Sequence, residues 1–76
     1  MTSEILVIED DELLNLMIGQ QLERMGHTVA DAGSLADAQA YLSRHEPDLI
    51  ISDMRLPDGD GLDLVGWIQK RRPDEI

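Results

Sequence analysis

Residues 5–12 read Ile5-Leu6-Val7-Ile8-Glu9-Asp10-Asp11-Glu12. Four aliphatic residues follow one another without polar alternation, with β-branched side chains among them. That pattern belongs to a strand buried on both faces, as in a parallel sheet. The run breaks abruptly into acids, and a helical pattern follows. Leu14, Met17, Ile18, Leu22 and Met25 recur on one helical face and predict a single apolar stripe. Gly26 is well placed as the glycine that ends this helix.

The rest of the chain repeats the theme. His27-Thr28-Val29-Ala30 is a second, weaker strand. Ser34 is a suitable N-cap for a second helix, with Asp37 three residues on. Leu35, Ala38 and Leu42 form its expected inner face, and Pro47 is expected to close it. Leu49-Ile50-Ile51 is the third strand, and it too ends in an acid, Asp53. The turn-rich Pro57-Asp58-Gly59-Asp60-Gly61 leads to a third helix from about Leu62 to Arg71, its predicted inner stripe being Leu62, Val65 and Ile68 and its stop Pro73. Short apolar strands alternating with amphipathic helices imply an α/β chain with a parallel sheet. No repeat, linker or low-complexity segment interrupts it.

The 76 residues carry sixteen Asp and Glu against six Lys and Arg, a net charge of −10. Direct nucleic-acid binding needs a basic surface and is not expected of this segment. A composition that is 42% hydrophobic, in regular patterns, argues against disorder. No signal peptide is recognisable, and no apolar run approaches the roughly 20 residues of a membrane span. The expected location is the cytoplasm, with no membrane association. There is no cysteine, so no disulfide or thiolate-bound metal is possible.

In a parallel α/β sheet, ligands bind at the carboxyl ends of the strands. Two strands here end in acids: Glu9 and Asp10 after the first, Asp53 after the third. If those strands are neighbours, three carboxylates converge on one rim. Their mutual repulsion is relieved by a hard divalent cation, and Mg²⁺ commonly takes one or two carboxylates together with substrate phosphate. A carboxylate can also act as a nucleophile and form an aspartyl phosphate. Asp53 is the expected phosphoacceptor, because it stands alone after a buried strand and before a tight loop. Asp10 is expected to bind the metal directly, and Glu9 through a water or as a second ligand.

At these residues the chain resembles a known family. Residues 5–12 look like the first strand and acidic pair of response-regulator receiver domains. Residues 47–61, Pro47-Asp48-Leu49-Ile50-Ile51-Ser52-Asp53-Met54-Arg55-Leu56-Pro57-Asp58-Gly59-Asp60-Gly61, look like their phosphoacceptor strand and loop. The resemblance implies a flavodoxin-like parallel sheet of about three βα units with strand order 2-1-3. It implies Mg²⁺-dependent transfer to Asp53 from a sensor histidine kinase or histidine phosphotransfer protein, within two-component signalling. It also implies the main-chain carbonyl of Arg55 as a further metal ligand, and Pro57 and Gly61 as shapers of the loop. Such a module is not a turnover enzyme, since its own aspartate is the substrate.

The family fold has five strands. Residues 1–76 are therefore expected to be a partial receiver domain that lacks the fourth and fifth βα units, with phosphoryl transfer impaired as a result. The family's Ser or Thr after strand four and Lys after strand five have no counterpart, and Lys70 is the only lysine. An uncovered edge on the third strand, at Leu49-Ile50-Ile51, would invite pairing with a second copy, so a homodimer through that edge is expected.

Two rivals stand beside this reading. One is an interaction or dimerisation module that works without phosphorylation. The other is a Mg²⁺-dependent phosphatase using Asp53, which is weaker because haloacid-dehalogenase-type enzymes need an acid where Arg55 stands. Asp58, Asp60 and Asp63 fit turn formation better than a calcium loop, since Leu62 and Asp63 break that motif. Asp11 and Glu12 fit helix N-terminal charges. His27, His45, Tyr41 and Trp67 carry no functional expectation. Lys70-Arg71-Arg72 would complement a helix C-terminus.

Overall fold

A computed structural model describes residues 2–53 and 55–71 of the chain. The elements run β1 (Glu4–Ile8), α1 (Glu12–Arg24), β2 (Thr28–Ala32), α2 (Leu35–Leu42), β3 (Leu49–Ser52), β4 (Arg55–Leu56), β5 (Gly59–Asp60) and α3 (Gly61–Arg71). β1 is the central strand of a parallel sheet of order β2-β1-β3, and β4 and β5 form a separate small antiparallel pair. The flavodoxin-like order expected from the sequence is the one observed.

β1 earns its central place by hydrophobicity. Ile5, Leu6, Val7 and Ile8 are all buried, the last three at 0% exposure. Alternation sends Leu6 and Ile8 to one face, where they meet Ala38 and Leu42 of α2, Leu56, and Leu64 of α3. Ile5 and Val7 take the opposite face. The register pairs Ile8 with Ala32 on one side and with Ser52 on the other. The opposite end of the sheet is fastened by backbone bonds from Thr28 to Ser3 (2.9 Å) and from Asp48 to Glu4 (2.7 Å), with the Glu4 amide donating back to Asp48 Oδ2 (2.8 Å).

α1 begins at Asp11, whose side chain accepts from the Leu14 amide. It ends in a Schellman arrangement: the Gly26 amide donates to Glu23 and the His27 amide to Leu22, with Gly26 at φ 94°. A side chain there would be strained, which is why glycine occupies the position. The inner face of α1 differs from the predicted stripe. Leu14, Met17 and Met25 are 43%, 57% and 62% exposed, whereas Asn15 and Gly19 are buried. Ile18 and Leu22 of the predicted stripe are partly covered, and Asn15 is drawn inward beside them. Its amide nitrogen lies 3.0 Å from the Glu9 carbonyl, 3.2 Å from that of Ala32 and 3.5 Å from that of Val7. Gly19 packs beside Val29, whose Cγ1 would lie in ordinary contact, 3.6 Å, with an added Cβ.

Other boundaries shift too. β2 starts one residue later and runs further than predicted, to Ala32. α2 has Ser34 as its N-cap as expected, but it ends at Leu42, well before Pro47, with Ser43 as its C-cap. The loop after Asp53 is not an open turn but contains the β4–β5 pair. In α3, Leu64 is the buried residue, with Trp67 and Ile68 packed beside it, while Leu62 (68%) and Val65 (48%) are exposed. That helix carries apolar residues around more than half its circumference, so periodicity alone leaves its rotation undetermined. Reciprocal capping decides it: the Asp63 amide donates to Asp60 Oδ1 (2.9 Å) and the Asp60 amide to Asp63 Oδ2 (3.1 Å). Pro73 lies outside the described residues.

The aromatic and basic residues stay structural. Tyr41 stacks on His45 at 4.5 Å, and Arg71 lies 4.7 Å above the Trp67 ring. His27 Nδ1 accepts from the Ser3 amide (3.2 Å). Lys70 and Arg71 sit in the last turn of α3, where positive charge suits the helix dipole.

Asn15→Leu should test the polar seam between α1 and β1. Although it adds apolar surface, it removes a donor from the Glu9, Val7 and Ala32 carbonyls, of which Ala32 O keeps the Glu9 amide, and we expect a loss of about 1–3 kcal/mol in urea unfolding. Unchanged stability would mean that the carbonyls need no donor from α1.

Candidate functional site: an acid cluster at the strand ends

The site forms where the sheet stops. The Glu9 amide donates to Ala32 O (3.0 Å) and the Asp53 amide to Ile8 O (3.1 Å), so both residues extend the parallel ladders one step past the strands. Backbone bonding on the two sides of β1 therefore brings residues 44 positions apart in sequence to one rim. Carboxylate oxygens of Glu9, Asp10 and Asp53 all lie within 4.8 Å of one another. Asp10 and Asp53 are exposed, and Glu9 is the most covered of the three.

The cluster is electrostatically loaded. The Asp11 amide donates to Glu9 Oε2 (3.2 Å), which alone would lower the Glu9 pKa. A side-chain hydrogen bond with Asp10, partial desolvation, and the charges of Asp53 and Asp10 together outweigh it, and the Glu9 carboxyl is raised above its ordinary value. The loading extends along a neighbouring cleft, which Glu12, Asp31 and Asp37 also line.

The donor set fits a hard cation. Every donor is a carboxylate oxygen, the ligand type Mg²⁺ prefers. Two oxygens on one Mg²⁺ stand about 3–4 Å apart, given metal–oxygen distances of about 2.0–2.1 Å. The observed cluster is slightly more open than that. Small side-chain rotations or one bridging water would close it.

Asp53 is further tied by its own loop. The Arg55 amide points to Asp53 Oδ1 at a long 3.4 Å, and the Ser52 hydroxyl donates to the Asp53 carbonyl (2.8 Å). Arg55 is exposed in β4, paired with Asp60. Gly61 opens α3, and Pro57 stands at the turn between β4 and β5.

Sequence reasoning missed two residues around this site. Asn15 holds the backbone of Glu9 from below, and its signal was a polar residue embedded among apolar ones. Asp58 reaches from the loop to the start of α2, with its two oxygens 2.7 Å and 2.9 Å from the Leu35 and Ala36 amides. Those amides, Ala36 first, hold the Asp58 carboxyl below its ordinary value. Turn composition hides such a contact.

The sequence model of a family described as "Response regulator receiver domain" matches residues 5–76. The chain is 40% identical over 70 residues to the DNA-binding transcriptional regulator NtrC of Azospirillum brasilense, an overlap of 92% of this chain and 15% of that protein. It is 44% identical over 61 residues to the transcriptional regulatory protein PhoP of Escherichia coli K12, covering 80% of this chain and 27% of PhoP. Among solved structures, the non-phosphorylated HemR receiver domain of Leptospira biflexa superposes with a TM-score of 0.85 at 36% identity, over 95% of this chain and 58% of that one. The response regulator TrrA of Thermotoga maritima, solved in complex with Mg(2+)-BeF, gives 0.86 at 26% identity, over 95% and 63%. The chain thus spans less than two thirds of each of these proteins.

The raised Glu9 pKa makes a signed prediction. The folded state favours protonated Glu9, so that contribution is full below the unfolded value and is lost as pH rises through the folded one. Glu9→Gln should therefore raise the melting temperature of the metal-free protein near pH 7. The gain should fade near pH 4, under the ordinary glutamate value of about 4.3. Millimolar Mg²⁺ should stabilise the unaltered chain and erase the advantage of the variant. A variant equally stable at both pH values, with or without Mg²⁺, would contradict the cluster.

Proposed function

The chain belongs to the response-regulator receiver domain family, and from that premise we propose that Asp53 is its phosphoacceptor, with a Mg²⁺ ion held by Glu9, Asp10 and Asp53 and by the main-chain carbonyl of Arg55. The receiver role in two-component signalling follows from family membership. The residue roles rest on one observation, the meeting of three carboxylates at the carboxyl rim of a parallel sheet.

The chemistry needs little more than placement. A carboxylate oxygen of Asp53 attacks the phosphorus of a phosphohistidine on a sensor kinase or phosphotransfer protein. The new O–P bond forms as the N–P bond breaks, and the electron pair leaves with the imidazole nitrogen, which then takes up a proton. When bound, Mg²⁺ supplies positive charge against the phosphoryl oxygens. Asp53 is consumed rather than regenerated in that step, so the chain is a phosphoacceptor and not a turnover enzyme. The proposed partners act in the cytoplasm, and we place the chain there. Among the described residues no helix is long and apolar enough to cross a membrane.

A second, phosphorylation-independent reading has its own support. β3 is bonded to β1 along one edge only among the described residues, and Leu49 on it is 52% exposed. A groove of about 240 Å³ beside it is lined by Leu42, Pro47, Leu49, Ile50, Trp67 and Ile68. A second copy of the chain could cover this surface. Light scattering showing a folded monomer at micromolar concentration would remove that dimer.

The principal test is chemical. With Mg²⁺ and acetyl phosphate, the intact mass should rise by one phosphoryl group, and the adduct should be lost in Asp53→Asn and without Mg²⁺. An adduct that survives Asp53→Asn would overturn the assignment of the acceptor.

A further inference from the structure

The segment from Asp53 to Asp60 must be held still if the acid cluster is to persist, and its intrinsic means are slight. β4 and β5 contribute two residues each, paired Arg55–Asp60 and Leu56–Gly59. Strand pairs that short are not stable alone. Leu56 anchors one point in the core. The turn between the two strands carries Asp58, whose carboxylate spans to another element altogether. Its Oδ1 takes the Leu35 amide at 2.7 Å and its Oδ2 the Ala36 amide at 2.9 Å, across 23 and 22 positions of sequence. Ser34 takes the next amide, that of Asp37, at 3.1 Å.

We propose that Asp58 is a positioning residue for the Asp53 site: seated on the first two amides of α2, it fixes the loop that follows Asp53 and so keeps the Asp53 carboxylate beside Glu9 and Asp10. This deepens the phosphoacceptor reading and rests on it.

Three observations bear the proposal. First, both bonds are short and charge-assisted, at a helix N-terminus where the dipole favours an anion. The same amides keep Asp58 ionised at neutral pH, so the clasp is closed under working conditions. Second, the anchor itself is firm. α2 is fixed to the sheet through Ala38 and Leu42, which are 0% and 5% exposed and pack with Leu6 and Ile8 of β1. The strand that carries Glu9 and Asp10 and the loop that carries Asp53 are thereby referred to one body. Third, the loop approaches α2 closely. Gly59 lies against the Leu35 side chain, and a Cβ there would come within 2.6 Å of Leu35 Cδ2 unless that flexible methyl moved aside.

The clasp serves position more than stability. Its partners are exposed, and water can satisfy the Leu35 and Ala36 amides if the carboxylate is removed. What water does not replace is the tether between loop and helix. Ser34 provides the matched control, because it caps the same helix end from the residue before α2 by accepting the Asp37 amide, a bond local to that helix.

The experiment compares the unaltered chain with Asp58→Ala, Asp58→Asn and Ser34→Ala, at a temperature where thermal melts show each folded. Two quantities are read: the affinity for Mg²⁺ by calorimetric titration, and the rate of mass gain with acetyl phosphate. Asp58→Ala should weaken Mg²⁺ binding and slow labelling by about tenfold, the scale seen when an outer positioning group is lost from a metal site. Ser34→Ala should lower the melting temperature yet leave both quantities within twofold. Asp58→Asn keeps one acceptor and should fall between, and it carries the comparison if Asp58→Ala does not fold. Binding and labelling unchanged in the Asp58 variants, or lowered equally in Ser34→Ala, would overturn the positioning role. An unaltered chain that neither binds Mg²⁺ nor gains mass would overturn the phosphoacceptor reading, and this inference with it.

Discussion

The register of β1 against its two neighbours is the constraint on which the rest depends. Ile8 is the last residue of the strand, and its partners are Ala32 and Ser52. One step on, Glu9 bonds back to β2 and Asp53 bonds back to β1. Because strand side chains alternate, a slip of one residue would turn Leu6 and Ile8 away from α2 and α3 and carry the acids out of line. Burying a large aliphatic side chain is worth roughly 1.5–3 kcal/mol, and all four of Ile5–Ile8 are buried. Two of the three like charges at the rim, Asp10 and Asp53, are exposed and screened by water. Apolar burial therefore holds the acids together against their repulsion, and the cluster is a consequence of the fold rather than a contributor to its stability.

The same constraint explains the one buried polar residue. A helix following a strand that ends in acids has to pack where backbone carbonyls leave the sheet. Asn15 answers those carbonyls with its amide. Of the side chains that periodicity assigns to the interior, Ile18 and Leu22 are partly covered, while Leu14, Met17 and Met25 are exposed. A hydrogen-bonding demand of the sheet shares the inner face with the apolar stripe of the helix.

That contest marks the limit of what could be read from the residues. Strand–helix alternation, the two-sided burial of β1 and the caps at Ser34 and Gly26 follow from local pattern and were legible, while the parallel 2-1-3 order came from the family resemblance. The strand ends marked Glu9, Asp10 and Asp53 as acids that meet if β1 and β3 are neighbours, and the order implied by the resemblance supplied that condition. Illegible were the features set by contacts between elements. The rotation of α3 depends on the Asp60–Asp63 cap and on Leu56, not on whether Leu62 or Leu64 is the more hydrophobic. The early end of α2 at Leu42 leaves Pro47 with no part in stopping it. The clasp of Asp58 on α2 requires knowing that the loop and the helix are adjacent, which no pattern of turn residues reveals.

With sixteen acids in 76 residues, composition alone gives each the same claim to a role. The structure separates them by what balances their charge. Asp11 sits on the amide of Leu14, Asp58 on those of Leu35 and Ala36, Asp60 on that of Asp63, and Asp63 on that of Asp60. Each of these is a carboxylate answered by backbone N–H groups at the start of a helix, and each shapes the chain. Glu9, Asp10 and Asp53 differ in kind. The Asp11 amide donates to Glu9 and the Arg55 amide points to Asp53, yet these three carboxylates also face one another, and the effect is visible in the raised Glu9 pKa. Acids answered by amides serve the fold. Acids that confront each other call for a charge from outside the chain, and the oxygen donors of this cluster suit an oxygen-seeking divalent cation.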